Sequence, residues 1–444
     1  MIHKQNPLKF FIQTYGCQMN VADSEMVSGL LIKSGYELTE NIDEADIIIF
    51  NSCTVRQHAE DRVIGRITQE GNRKKKKPNL LIGLIGCVAQ RCGEELIQKI
   101  DCLDFAVGTD QYRLLPKVIE NCLKNNCSTS LLQANYKENY SDIPPYRKKG
   151  INAFITIMRG CNNFCSYCIV PYVRGRERSR NHLEVLKEIE TAGNKGYKDI
   201  TLLGQNVNSY KNDNIDFPTL LKLASKIDSI KRLRFITSHP KDLSDKLIEV
   251  MTNEEKVCEH LHLPLQSGSN TILEKMNRGY SVEQYLSIIK KLKNSIPNIA
   301  ITTDVMTGFP GETEKDFLDT YNLMKKIRFD YAFTFKYSPR KGTKAADPRV
   351  NRGQIDESIR LKRLQKLIAL QEKITFEKYK EQTGKVVEVY VEQKSKKNIN
   401  ELSGRTRDNK IAVFPGDKNL IGKFVKVKIC DATGWTLRGK QQKI

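Results

Sequence analysis

Between residues 9 and 124, short apolar runs alternate with stretches whose apolar residues recur every three or four positions: KFFIQTY, SEMVSGLLIKSG, ADIIIFN and NLLIGLIG. Alternating or unbroken apolar runs mark strands and a 3.6-residue period marks helices. Repeated strand-helix units predict a doubly wound parallel α/β sheet over residues 8–124. Residues 125–150 are polar, carry Pro144-Pro145 and end in Arg147-Lys148-Lys149, which reads as a linker.

Six further strand patterns follow, NAFITIM near 152, DITLLG near 199, LRFITS near 233, HLHLPL near 260, IAITTDVM near 299 and YAFTFKY near 331. Helix-length sequence separates them, so they predict a partial (βα)6 barrel. A helix from Asp356 to Thr383, with Ile359, Leu364, Leu367 and Ile368 on one face and Gly384 as its stop, closes this domain over 151–383. In 384–444 the segments VVEVYVEQ, KIAVFPG and KFVKVKIC, broken by glycine turns, predict a small OB-like β-barrel. The fold class is α/β in three parts.

No apolar run of the 444 residues approaches the roughly 20 that span a bilayer, and MIHKQNPLKFFIQ leads into a strand, not a cleavable signal. A cytoplasmic protein without a membrane partner is expected. Lys and Arg outnumber Asp and Glu 73 to 52, a net +21 that favours a polyanionic partner but also fits a merely lysine-rich surface. From Lys380 onward 15 basic side chains face 7 acidic ones, a net +8 that makes the last module a candidate nucleic-acid grip.

Twelve cysteines in a long reduced chain direct attention to metals and catalysis. In MRGCNNFCSYCIVPYVRGRERSR, Cys161, Cys165 and Cys168 have the spacing Cys-x3-Cys-x2-Cys just after the first barrel strand. Three thiolates suit three corners of a 4Fe-4S cube and leave the fourth iron open to a small molecule. A zinc knuckle completed by His182 is the competing reading. Cys17, Cys53 and Cys87 each stand just past a predicted strand, on one edge of a parallel sheet, where a second cluster could be held; buried small residues are the alternative. Cys92, Cys102, Cys122, Cys127, Cys258 and Cys430 read as structural. Arg174, Arg176, Arg178 and Arg180 either meet anions near the site entrance or form salt bridges, and the run Arg73 to Lys77 reads as a solvated loop.

The triad spacing, with aromatic Tyr167 before its last cysteine, resembles the radical S-adenosylmethionine superfamily. The resemblance implies that S-adenosylmethionine chelates the open iron and that electron transfer breaks it into methionine and a 5′-deoxyadenosyl radical. LLGQNVNS, LPLQSGSN and DVMTGFPGETE fit later barrel segments of that superfamily. They make Gly204, Gln205, Asn206, Gln266, Ser267 and Gly308, with Tyr167, the implied contacts to S-adenosylmethionine.

From about Phe10 to Lys440 the chain resembles the methylthiotransferases, which join an auxiliary-cluster domain, a radical barrel and a TRAM-type RNA-binding domain. That implies two 4Fe-4S clusters, one on Cys17, Cys53 and Cys87 for sulfur transfer, the other on Cys161, Cys165 and Cys168 for the radical. GRTRDNKIAVFPG and IGKFVKVKICDATGWTLRG resemble the TRAM domain, with Thr436 where a serine often precedes the terminal Leu-x-Gly. TYGCQMNVADSE and NSCTVRQHAEDR resemble the branch that methylthiolates isopentenyl-modified adenosine in a tRNA anticodon stem-loop. Gln18-Met19-Asn20 separates it from the sister branches for threonylcarbamoyladenosine, which favour Lys-Val-Asn, and for a ribosomal-protein aspartate, which favour Pro-Lys-Asn. An electron donor such as flavodoxin or ferredoxin and a sulfur source are further implied partners. The reading from another class is a non-catalytic iron-sulfur RNA-binding protein, separated by whether a reduced sample cleaves S-adenosylmethionine.

Overall fold

Apolar runs become buried strands in a computed structural model that describes residues 7–54, 57–125, 127–148, 150–349 and 353–442. β1 (Lys9–Tyr15), β3 (Ile47–Ser52) and β4 (Leu81–Gly86) carry the predicted patterns. β3 and β4 are buried along their whole length, as strands covered on both faces must be. With β2 (Glu37–Leu38), β5 (Phe105–Val107) and β6 (Thr129–Leu131) they form one parallel sheet in the order β2-β1-β3-β4-β5-β6. Around it lie α1 (Gln18–Lys33), α2 (Gln57–Gly71), α3 (Cys87–Lys99) and α4 (Leu115–Asn125). Ile47 and Ile49 pack into one core cluster and Ile48 and Phe50 into another, the period-two alternation of a sheet with two faces.

The stretch read as a linker is bound into this domain. Its first part supplies β6, and Tyr140 and Ile143 bury themselves beside Phe10, with the Tyr140 hydroxyl donating to the Thr109 carbonyl at 3.0 Å. A three-residue edge strand carries too little pattern to be read from sequence. The Arg73 to Lys77 run is likewise tied down, Arg73 by Glu70 and Asp43, Lys74 by Asp104 and Lys77 by Asp46. Lys149, and Val55 and Arg56 of the second cysteine motif, lie outside the described residues.

The central domain has β7 (Asn152–Thr156), β8 (Met158–Arg159), β9 (Arg178–Ser179), β10 (Asp199–Leu203), β11 (Lys211–Asn212), β12 (Ile215–Asp216), β13 (Arg232–Phe235), β14 (His260–His262), β15 (Ala300–Thr307) and β16 (Tyr331–Lys336). The six predicted strands form two parallel halves, β13-β10-β7 and β14-β15-β16, linked by a parallel bridge from Leu233 to Val257. The other four make two small antiparallel pairs, β8 with β9 and β11 with β12. The helices are α5 (Val170–Arg174), α6 (His182–Asn194), α7 (Phe217–Ser225), α8 (Asp245–Asn253), α9 (Asn270–Lys275), α10 (Val282–Ser295) and α11 (Glu314–Ile327). Side chains of Asn181, Asp216, Ser244, Ser281 and Thr313 cap α6, α7, α8, α10 and α11, and so fix where each strand-end loop stops.

α12 (Glu357–Lys380) is capped by Asp356 but presents a different face from the one its apolar residues suggest. Arg363, Leu367, Gln371, Ile374 and Thr375 are buried, while Ile359 and Ile368 are exposed. Polar contacts set the rotation: Arg363 donates to Glu312 at 2.8 Å and Gln371 to the Phe329 carbonyl at 3.0 Å. The chain ends in β17 (Val386–Lys394), β18 (Glu401–Thr406), β19 (Ile411–Pro415), β20 (Phe424–Thr433) and β21 (Thr436–Gln441), a closed barrel in the order β17-β18-β19-β21-β20.

The two flanking domains sit at opposite ends of the central barrel. Met19 of α1 packs on Leu203, Phe154 and Ile236 at the top, where the strands end. The C-terminal barrel seals the base, where they begin. Arg232 donates to the Arg405 carbonyl at 2.8 Å and to Glu388 at 2.7 Å, and Arg234 to the carbonyls of Thr406 and Arg407. Among the described residues no helix is long and apolar enough to cross a membrane.

Candidate functional site

Cys161, Cys165 and Cys168 follow β8 on one loop, as their spacing predicts. Gly160 (φ +77°) makes the turn into it, and a Cβ there would stand 2.0 Å from the Arg176 carbonyl, so only glycine fits. Phe164 is held left-handed at φ +44° inside the loop. The segment is anchored by Ser166, whose amide donates to the Met276 carbonyl at 3.0 Å. Burial pushes the Cys161 thiol up to about 11 and the Cys168 thiol up to about 12. Thiols so disposed ionise when a positive metal centre takes them as ligands, which fits an iron-sulfur loop. Tyr167 is half-buried against Ile272, Met276 and Phe309. Arg278, which sequence reasoning missed, donates to Cys165 Sγ at 3.4 Å and lies 3.5 Å from the Tyr167 hydroxyl.

The other residues implied as contacts gather at the top of the same barrel. Gly204, Gln205 and Asn206 follow β10, Gln266 and Ser267 follow β14, and Gly308 follows β15. Gly204 lies against Met158, and the Gly308 amide donates to Glu312 at 2.7 Å. Ser267 is committed inward, its hydroxyl against Thr320 at 3.3 Å and accepting from the Ser269 amide at 3.2 Å. Gln266 holds φ +66°, fixed by its amide to the Asp304 carbonyl and by the Met306 amide to its own carbonyl, both at 2.8 Å.

Several buried polar atoms here have no partner among the described residues: Gln205 Oε1, Asn206 Oδ1, Asn208 Oδ1 and Nδ2, Ser238 Oγ and His239 Nε2. Unpaired buried polar groups are costly, so their concentration at one barrel mouth marks a place that a polar ligand fills. An amino-acid headgroup and an adenosine, as in S-adenosylmethionine, supply the complementary donors and acceptors. Burial lowers His239 to about 2, and its Nδ1 accepts from the Lys241 amide, so the ring is neutral with its proton on Nε2. Ser238 and His239 were legible only as the end of the LRFITS strand, the same context that marked the cysteines.

Cys17, Cys53 and Cys87 do meet at one sheet edge. Cys17 stands just before α1, Cys53 follows β3 and Cys87 opens α3. Gly16 brings two of them together, since a Cβ on it would be 2.5 Å from Cys53 Cβ. Asn20 and Asn51 brace the edge beneath, Asn20 donating to Asn51 Oδ1 at 2.9 Å and Asn51 to the Asn20 carbonyl at 2.9 Å. A hydrogen bond with Cys53, aided by the charge of Arg174, lowers the Cys17 thiol to about 6, whereas burial raises that of Cys87. Among the described residues no three Cys, His, Asp or Glu side chains stand close enough to share a single ion. Ligands of a 4Fe-4S cube occupy separate corners and stand wider apart. Of the remaining cysteines, Cys122 and Cys258 are buried and Cys92 and Cys102 half-buried, while Cys127 and Cys430 are exposed rather than structural.

The arginines after the Cys161–Cys168 loop are largely spoken for. Arg174 pairs with Asp23 at 2.9 Å, Arg178 with Asp110 at 2.9 Å and Arg180 with Glu188 at 2.7 Å. Arg176 alone is exposed, over the Phe164 ring at 5.2 Å.

The chain matches the Radical SAM superfamily over residues 155–324, the uncharacterized protein family UPF0004 over 9–108 and the TRAM domain over 380–441. A tRNA-2-methylthio-N(6)-dimethylallyladenosine synthase of Thermoanaerobacter sp. (strain X514) is 48% identical over 443 residues, 99% of this chain and 93% of that protein. One of the same name from Clostridium botulinum (strain Langeland / NCTC 10281 / Type F) is 47% identical over 438 residues, 98% and 97% of the two chains. Among solved structures, a radical S-adenosylmethionine methyltransferase of Kitasatospora setae, with cobalamin and a [4Fe-4S] cluster bound, superposes with a TM-score of 0.60 at 11% identity, covering 77% of this chain and 74% of its own. At that identity the likeness is one of fold. Full-length identity near one half, with the same three domains in order, makes the chain a member of the radical S-adenosylmethionine methylthiotransferase family, in its tRNA-2-methylthio-N(6)-dimethylallyladenosine synthase branch.

Proposed function

We propose that the protein adds a methylthio group to carbon 2 of N6-isopentenyladenosine next to the tRNA anticodon, consuming two S-adenosylmethionine molecules. The observation that carries this reading is the shared wall between the two cysteine sites. α5 begins two residues after Cys168, and its Val173, with Ile169 before it, packs directly on Cys87. A radical made on one side can thus act beside sulfur held on the other. Loaded with iron-sulfur clusters, Cys161, Cys165 and Cys168 would supply radical chemistry and Cys17, Cys53 and Cys87 the sulfur.

Carbon 2 of adenine carries a strong, unactivated C–H bond that acid-base catalysis cannot ionise, so positioning is the protein's main task. Cys161, Cys165 and Cys168 would hold one 4Fe-4S cluster and Cys17, Cys53 and Cys87 a second. Gln205, Asn206, Ser238 and His239 offer S-adenosylmethionine their unpartnered atoms, and Tyr167 gives its adenine an apolar wall. Reduced flavodoxin or ferredoxin would deliver electrons, a separate sulfur source would recharge the auxiliary site, and the reaction would run in the cytoplasm. The test is an anaerobic assay in which isopentenyl-modified tRNA, threonylcarbamoyl-modified tRNA and ribosomal protein compete, with mass spectrometry of the products. Methylthiolation of the first alone is expected; transfer to either other substrate in its place overturns the assignment.

A further inference from the structure

We propose that Arg174, a residue of the radical barrel, completes the auxiliary site of the neighbouring domain: it positions Cys87 by hydrogen-bonding its sulfur and raises the reduction potential of the cluster held there. This rests on the two-site reading above.

Arg174 is the last residue of α5, and its side chain crosses the domain boundary. Nε donates to Cys87 Sγ at 3.2 Å and Nη2 to Asp23 Oδ2 at 2.9 Å, while Nη1 has no partner among the described residues although it is buried. The guanidinium is fixed from both sides. Asp23 also receives Arg159 at 2.5 Å, and Thr109 Oγ1 donates to the Val173 carbonyl at 2.6 Å, pinning α5 to the sheet edge.

Charge balance points the same way. Arg159, Arg174 and Asp23 are all nearly inaccessible, so two guanidiniums share one carboxylate. One positive charge is left over in a place where an unpaired charge is expensive. It stands at Cys87, so the group that balances it is anionic sulfur: the Cys17, Cys53 and Cys87 thiolates and the cluster on them. Hydrogen bonds to ligand sulfur and nearby positive charge both favour the reduced, more negative form of an iron-sulfur cluster. A lysine could not replace the fork, because one ammonium cannot bond Sγ and the carboxylate along the two fixed directions that Nε and Nη2 provide.

The test compares the parent with Arg174→Gln and Arg174→Lys as full-length, anaerobically reconstituted proteins, by iron content and EPR-monitored redox titration. Two signals and about eight irons are required of the parent first. A parent with about four irons and one signal refutes the two-site reading itself, before any variant is considered. The expected result is a lower auxiliary potential in Arg174→Gln, a smaller drop in Arg174→Lys, and an unmoved potential at the Cys161 site in both. Loss of iron from the auxiliary site alone in the glutamine variant, with the lysine variant still loaded but shifted, equally supports the assignment. Auxiliary potentials equal to the parent's in a fully loaded variant, equal shifts at both sites, or loss of iron from both sites in both variants would overturn it.

Discussion

The central barrel is sealed at each end by another domain, and at each end buried arginines make the seal, but the two seals are built differently. At the top, Arg159 and Arg174 converge on a single side-chain carboxylate, Asp23, while Arg174 also bonds Cys87 Sγ and Arg159 Nε and Arg174 Nη1 have no partner among the described residues. At the base, Arg232 and Arg234 donate chiefly to backbone carbonyls of the C-terminal barrel, with Glu388 and Asp199 as carboxylate partners. There Arg407 adds Glu259 at 2.7 Å, Lys410 adds Asp330 at 3.2 Å, and Trp435 stacks edge-on against Tyr331. Among the described residues, Asn152 Oδ1 and Arg232 Nε are buried without a partner at that interface. A nearly satisfied interface is one that holds, and an interface with many open donors and acceptors is one that binds.

The largest effect expected from that difference is in the chemistry. Cys17→Ala, Cys53→Ala or Cys87→Ala should abolish methylthiolation yet leave reductive formation of 5′-deoxyadenosine, whereas Cys161→Ala, Cys165→Ala or Cys168→Ala should abolish both, as product analysis of S-adenosylmethionine turnover will show. Equal loss of both activities in all six folded variants would erase the division between the sites.

Next in size is stability. Removing one partner of a buried ion pair costs about 3–5 kcal/mol. Asp23→Ala strands two arginines and should lie at the upper end. Arg232→Ala strands Glu388, whose side chain is 45% exposed and can turn to solvent, so it should lie near 3 kcal/mol. Denaturant melts of both variants decide the order, and a larger loss at the base would reverse the comparison. Truncation before residue 384 is the harsher experiment, since it would expose Arg232, Arg234 and His260 together.

The sequence foretold these regions unequally for a physical reason. That Cys161, Cys165 and Cys168 lie together was legible because they sit on one loop. The dispersed triad was legible because strand-end context repeats three times around Cys17, Cys53 and Cys87. Arg174 was marked as an anion or salt-bridge residue, but its pairing with Asp23 was not legible, because the two lie 151 positions apart and nothing local to either announces the other. Nothing in the strand pattern near 233 marks Arg232 and Arg234 for burial under a second domain, yet both are buried and donate to backbone carbonyls of the C-terminal barrel. The rotation of α12 was missed because it follows Arg363 and Gln371 together with Leu367 and Ile374, and leaves Ile359 and Ile368 exposed. Tertiary partners, not periodicity, decided each of these.

A smaller effect, with a sign that can be worked out, lies in pH. Each end holds a histidine kept neutral mainly by burial, His239 at the top, lowered to about 2, and His260 at the base, lowered to about 3. The unfolded chain protonates both near pH 6.5, so the stability they confer is complete above that pH and is lost as pH falls, by about 1.4 kcal/mol per pH unit for each. Glu25, pushed up to about 7 by burial despite Arg147 beside it, acts oppositely between pH 7 and 4.5, because the folded state then holds the extra proton. From pH 6.5 to 4.5 the loss from the two histidines is opposed by the gain from Glu25 and from Glu312, which burial also raises, so His239→Gln and His260→Gln should each make stability fall less steeply with acid, and the double variant least steeply. Urea melts across that window measure it; a slope that responds to one histidine alone would show that the two ends are not equally dry.

The smallest effect concerns the grip on RNA at the base. β20 and β21 pair with Lys428 directly opposite Lys440, and Lys426 lies on the same outer face; all three are exposed and none meets a carboxylate among the described residues. Like charges directly opposite on a strand pair repel, unless a polyanion lies across them. Phosphates of a tRNA substrate would be such a polyanion, held by counterion release and without sequence information. Lys428→Gln with Lys440→Gln should weaken tRNA binding several-fold, reduce the slope of log affinity against log salt by about 2, and raise the stability of the RNA-free protein by a few tenths of a kcal/mol. Filter binding over a salt series and a urea melt read the two quantities separately. A salt slope equal to the parent's would place the phosphate grip elsewhere on the chain, and with it the path of the RNA.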